Sequence, residues 1–113
     1  MPNRIDVTLS GLRGAGEKAL APFLTVGFPD VPTSEALALA ALEAGADMLE
    51  LGIPFSDPLA EGPTIQMTSY RALQNGVTLD TVLEVVTRLR ASQPRAPLIL
   101  MGYYNPFLQF GVE

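Results

Sequence analysis

A single carboxylate, Glu50, stands inside the apolar run Met48-Leu49-Glu50-Leu51. Burying a charge is costly unless it is paired or neutralised, and acids inside parallel strands cluster at sites that move protons. The loop that follows carries Ser56, Asp57 and Glu61 among Pro54, Pro58, Gly62 and Pro63. An acid in a strand, with an acidic loop after it, is how strand–helix enzymes place chemistry at the carboxyl end of a sheet. The plainer alternatives are that Glu50 pairs with a neighbouring strand's polar group for structure alone, and that Glu61 is one more solvated loop acid. The chain contains no histidine and no cysteine. That excludes disulfides and thiolate sites and removes the commonest metal ligand and the usual general base. Acid–base chemistry has to come from carboxylates or tyrosines, which sharpens the case for Glu50.

The elements that must position these groups follow from the pattern of apolar residues. Ile5, Leu9 and Leu12 fall at helical spacing within residues 2–14, and Gly14 and Gly16 break that helix. Leu20 to Val26 is a near-continuous apolar run, read as a strand covered on both faces; Pro22 is tolerable near its start, and Gly27-Phe28-Pro29-Asp30 closes it as a loop. Thr33 or Ser34 can cap a second helix, with Glu35 in the first turn well placed against the helix dipole. Leu39 and Leu42 mark its packed face, the alanines favour helix, and Gly45 ends it. The strand with Glu50 comes next, completing a βαβ unit that requires a parallel, right-handed crossover.

After the acidic loop, Thr64 to Leu73 reads as a short helix ended near Asn75-Gly76. Thr78 caps a longer one whose Leu79, Val82, Leu83, Val86 and Leu89 make one apolar stripe, with Glu84 and Arg88 spaced to pair along it. Pro94 and Pro97 stop that helix. Leu98-Ile99-Leu100-Met101 is the third buried strand, running into the turn residues Gly102-Tyr103-Tyr104-Asn105-Pro106. The coarse order is α-βαβ-αα-β, an α/β chain with a parallel sheet.

Composition bounds the function classes. With 113 residues, 48% of them hydrophobic and 17% charged, the chain is one ordinary globular domain with a modest core. A net charge of −5 argues against nucleic acid, which calls for basic clustering. No apolar run approaches the roughly 20 residues of a membrane span, and no signal-peptide core opens the chain. There are no short-period repeats, no low-complexity tracts and no Gly-rich phosphate cradle.

The continuous stretch Leu49-Glu50-Leu51-Gly52-Ile53-Pro54-Phe55-Ser56-Asp57-Pro58-Leu59-Ala60-Glu61-Gly62-Pro63-Thr64-Ile65-Gln66 closely resembles the signature of the tryptophan synthase alpha subunit family. Pro22-Phe23-Leu24-Thr25 and Met101-Gly102-Tyr103-Tyr104-Asn105 fall, without gaps, where that family has similar segments. The resemblance covers essentially the whole chain but less than half of the family's length. It implies a TIM (β/α)8 barrel, of which residues 1–113 would be the N-terminal part with about three parallel strands, since such a barrel takes about 250 residues. The implied reaction is the retro-aldol cleavage of indole-3-glycerol phosphate to indole and glyceraldehyde 3-phosphate, in the cytoplasm, without cofactor or metal.

By resemblance, Glu50 is the principal acid–base and Glu61 the second catalytic carboxylate, where the family usually has aspartate. Phe23, Met101 and Tyr103 would hold the indole ring, although from spacing alone the two aromatics read as core filling. Pro54, Asp57 and Asn105, turn residues on their own chemistry, would lie on loops that meet a beta subunit in an alpha2beta2 heterotetramer. The alternative reading is a catalytically silent fragment that keeps only part of the beta-binding face. Phosphate-gripping loops of such barrels follow strands 7 and 8, which this chain does not contain.

Overall fold

The structure is a computed structural model that describes residues 2–56 and 60–111. A helix α1 (Arg4–Ala15) leads into β1 (Phe23–Thr25), α2 (Val31–Glu43) and β2 (Leu49–Gly52); α3 (Pro63–Gln74), α4 (Leu79–Ser92), β3 (Leu98–Met101) and α5 (Tyr104–Phe110) follow. The three strands form one sheet in the order β1-β2-β3, and both ladders are parallel. The central strand is therefore the one that carries Glu50.

Register decides which residues share a face. Phe23 lies beside Glu50 and Thr25 beside Gly52 in one ladder; Glu50 lies beside Ile99 and Gly52 beside Met101 in the other. Because side chains alternate along a strand, Phe23, Thr25, Glu50, Gly52, Ile99 and Met101 point one way, and Leu24, Leu49, Leu51, Leu98 and Leu100 the other. The second set meets the helices. Leu49 and Leu51 are fully buried there with Ala38 and Leu42 of α2, Ala72 of α3, and Val82, Val85 and Leu89 of α4. Burying a leucine of this kind contributes on the order of 2 kcal/mol. The first set is covered only in part: Thr25, beside α3, and Gly52 are buried, but Glu50 and Ile99 are half-buried and Met101 is 43% exposed.

Several local expectations change. β1 is shorter than the apolar run 20–26, and Leu20 is exposed. The Pro22 carbonyl accepts the Glu50 amide, and the pairing ends where the Val26 amide donates to the Gly52 carbonyl. Leu20 serves instead to align the strands: its amide donates to the Asp47 carboxylate at 2.7 Å and its carbonyl accepts from the Asp47 amide at 3.0 Å. Helix α2 starts earlier than Thr33. Asp30 is its cap, accepting the Thr33 amide at 2.8 Å, and Pro32 fits the first turn, where no amide is needed. Hydrogen bonds from the Thr33 side chain and amide hold the Asp30 carboxyl below its usual range.

On α4 the deeply buried positions are Val82, Val85 and Leu89, with Leu83 and Val86 only half-buried. Arg88 does not pair with Glu84. It reaches across to Glu35 of α2 at 2.8 Å, an exposed bridge that contributes little against solvent screening. The cap at Thr78 is as expected, a reciprocal box with Thr81. Asn105, read as a turn residue, lies in a further helix, α5.

The loop after β1 is fixed by side chains. Gly27 has φ 96°, and a Cβ there would collide with Val77, so only glycine fits. Asn75 at the end of α3 donates to the Gly27 carbonyl at 3.1 Å and the Pro29 carbonyl at 2.6 Å. Among the described residues, no helix is long and apolar enough to cross a membrane.

A sheet covered on one face, with β1 and β3 as open edges, invites association. Residues 1–113 alone are expected to be loosely packed or self-associated, with weak near-UV dichroism and a broad melt. A monodisperse monomer in sedimentation, melting sharply with strong near-UV signal, would show the one-sided core to be sufficient.

Candidate functional site

The uncovered face of the sheet carries a cavity of about 380 Å³ at its carboxyl end. Strand residues Phe23 and Thr25 of β1, Gly52 and Ile53 at the end of β2, and Met101 and Tyr103 at the end of β3 form its floor and flanks. The segment after β2 folds over it: Phe55 and Glu61 from the loop, Ile65 and Ser69 from α3. Ile65 and Ser69, four residues apart, share one face of that helix.

Gly52 makes room for the ring of Phe23. A Cβ at Gly52 would stand 2.5 Å from Phe23 Cζ, so the phenyl group lies directly over the central strand. Tyr103, just past β3, does two things. Its ring stacks on Phe55, with centroids 5.1 Å apart and planes inclined by 24°. Its hydroxyl accepts a hydrogen bond from the Ala60 amide at 2.8 Å. Tyr103 thereby ties the β2–α3 loop to the end of β3, gripping the residue next to Glu61. On the other side, the Gln66 side chain donates to the Glu61 carbonyl at 2.9 Å, and the Gln66 amide bonds to the Gly62 carbonyl as α3 begins.

Four of the residues singled out from sequence thus come together: Phe23, Met101, Tyr103 and Glu61 all border the cavity. Glu50 does not line it directly. It lies on the same sheet face two residues before Gly52, flanked in register by Phe23 and Ile99, and is half-buried. Among the described residues the ion pair is Arg88–Glu35, so neither Glu50 nor Glu61 is neutralised by a cation there. Pro54 is buried and borders a separate groove with Leu73, Leu79, Pro106 and Phe110. Asn105 is exposed on α5, and Asp57 lies outside the described residues. Sequence reasoning missed Phe55, Thr25, Ile65 and Ser69. The two-residue spacing of Phe23 and Thr25 and the four-residue spacing of Ile65 and Ser69 were available signals, but only the placement of α3 over β1 gives them a common cavity.

Chemically the arrangement is a mostly apolar, aromatic-sided slot with one carboxylate on its loop side and another beneath its floor. A flat, largely apolar ligand suits such walls, with carboxylates available to accept hydrogen bonds or exchange protons.

The model of the family described as "Tryptophan synthase alpha chain" matches residues 9–113. The alpha chain of Chloroflexus aggregans is 54% identical over 111 residues, covering 98% of this chain and 42% of that protein. Among solved structures, the tryptophan synthase subunit alpha of Legionella pneumophila superposes with a TM-score of 0.95 at 46% identity, covering 98% of this chain and 42% of that one. The tryptophan synthase of M. tuberculosis in an aminoacrylate-bound form gives 0.92 at 35% identity, with 98% and 44% covered. The chain therefore spans about 42% of the length of the curated relatives it matches.

The Tyr103 tether makes a direct prediction. Tyr103→Phe keeps the stack and removes one hydrogen bond, worth about 1 kcal/mol net. Hydrogen exchange at the Ala60 amide should quicken by roughly 5-fold while amides of β2 stay unchanged. Equal protection of Ala60 in both proteins would show that the loop is held by other contacts.

Proposed function

The chain belongs to the tryptophan synthase alpha chain family, and from that premise we propose that it supplies the N-terminal part of a single (β/α)8 barrel that cleaves indole-3-glycerol phosphate to indole and glyceraldehyde 3-phosphate. The observation that carries the reading is the shared face: Phe23, Met101, Tyr103 and Glu61 border one cavity, with Glu50 on the sheet beneath it. The slot takes the indole ring. Glu61 accepts a hydrogen bond from the ring N–H, favouring the tautomer in which that nitrogen gains positive charge. Glu50 delivers a proton to indole C3 and takes one from the glycerol hydroxyl. The bond from C3 to the side chain breaks, its electrons remain with the ring, and the hydroxyl-bearing carbon becomes the aldehyde. No cofactor is required by this sequence of proton transfers.

The uncovered sheet face favours a second statement, that residues 1–113 by themselves are silent. Phosphate in such barrels is gripped by loops after strands 7 and 8, and this sheet has three strands. Pro54, Asp57 and Asn105 are assigned to a face that meets a beta subunit, in an alpha2beta2 assembly of the cytoplasm. Support for that face comes from α5, where Tyr104, Leu108 and Phe110 are more than half exposed next to the groove bordered by Pro54.

The test uses a full-length barrel that carries residues 1–113. Glu50→Gln keeps the shape and removes the transferable proton, so lyase turnover should fall by at least about 1000-fold with substrate binding largely retained. Turnover within tenfold of the parent would exclude Glu50 as the acid–base. Glu61→Asp, which restores the residue usual in the family, should keep or raise activity; a hundredfold loss would show that this loop has adapted to glutamate.

A further inference from the structure

Two buried hydroxyls join α3 to the sheet. Thr25 of β1 and Thr68 of α3 are both buried, and their Oγ1 atoms lie 2.8 Å apart. The Thr68 hydroxyl donates to the Ile65 carbonyl at 3.0 Å, so its single proton is committed and it meets Thr25 as an acceptor. The result is a one-way chain from β1 through Thr68 to the first turn of α3. An apolar pair of the same shape would serve stability about as well. What the hydroxyls add is a fixed distance and direction between helix and sheet.

The place of Thr68 along α3 gives that bond leverage. Behind it, Ala72 packs in the core and Asn75 clamps the helix end to the Gly27 and Pro29 carbonyls. Ahead of it, no residue from 63 to 67 is buried. Thr68 is therefore the last buried anchor before the helix runs back into the loop that carries Glu61. That loop moves with the first turn, because the Gln66 side chain donates to the Glu61 carbonyl at 2.9 Å and the Gln66 amide to the Gly62 carbonyl at 3.0 Å. Tyr103 holds the loop from the β3 side through Ala60; Thr68 holds it from the β1 side.

We infer that Thr68 is a positioning residue: by accepting the Thr25 hydroxyl, it sets where Glu61 stands relative to the ring slot. The inference rests on the proposed role of Glu61 as acceptor of the ring N–H. The ring nitrogen gains charge only as C3 takes its proton, so a displaced carboxylate weakens the transition state more than the ground state. A displacement of about 1 Å costs on the order of 100-fold in rate, and a partial one less.

The test compares kcat, KM and melting temperature in a full-length barrel carrying residues 1–113. Thr68→Val keeps the shape and removes the hydroxyl. Its kcat should fall roughly 10-fold with KM within about threefold of the parent, and it should melt lower because Thr25 loses its acceptor. Thr68→Ser keeps the hydroxyl and should hold kcat within about twofold, even if the missing methyl lowers the melting temperature. Thr25→Val combined with Thr68→Val leaves no buried hydroxyl unpaired, so melting should return to the parent's while kcat stays low.

Parental kcat in Thr68→Val, an equal loss in Thr68→Ser, or recovery of kcat together with melting in the double variant would overturn the inference. A double variant that fails to fold would also overturn it, since the hydroxyls would then be needed for the fold itself. Glu61→Ala in the same barrel keeps the two readings apart; its kcat should fall at least about 100-fold. If it does and Thr68→Val keeps parental kcat, the positioning role alone falls. If Glu61→Ala keeps parental kcat, the role of Glu61 falls and the positioning role with it.

Discussion

The parallel register of β2 is the constraint on which the rest depends. Leu49 and Leu51 are driven into the helical layer, where they are fully buried, and strand alternation then leaves Glu50 and Gly52 no choice but the opposite face. A slip of one residue would send the carboxylate into the packed leucine and valine core, at a cost far above what the leucines gain. The apolar core thus fixes the position of the acid indirectly. Gly52 follows from the same alternation: it stands where Phe23 crosses the strand, and the ring occupies the volume a side chain would need.

The second layer of organisation is a set of contacts that hold Phe55, residues 60–62 and the start of α3 from several directions. Tyr103 binds Ala60 and stacks on Phe55, Gln66 holds the Glu61 carbonyl, and the Thr25–Thr68 pair joins α3 to β1 beneath it. These contacts bring residues from the ends of all three strands to one cavity. They also explain how a polar loop acid acquires a defined position although nothing in its immediate sequence buries it.

Much of this was legible in the chain itself. The order of strands and helices follows from apolar spacing, and the stretch 49–66 carries the family resemblance in an unbroken run. The Thr78 cap and the third strand 98–101 appear where their residues put them. What was not legible depended on partners distant in sequence. Asp30 displaced Thr33 as the cap of α2 because Pro32 is compatible with a first turn. Arg88 left Glu84 for Glu35 because α2 and α4 are neighbours. Residues 104–110 coil into α5 although Asn105 and Pro106 are turn formers, with Pro106 in the first turn, where a missing amide costs nothing. Thr68 could not be singled out until it was seen to meet Thr25 of β1.

The proposed chemistry lies on the face of the sheet that these residues leave uncovered. The central claim is that this face works only inside a closed barrel. Lyase turnover of indole-3-glycerol phosphate, measured side by side on residues 1–113 alone and on a full-length barrel that carries them, tests it most directly. Turnover by the full-length barrel with none by the isolated chain is the predicted result; turnover by the isolated chain within tenfold of the full-length barrel would contradict it.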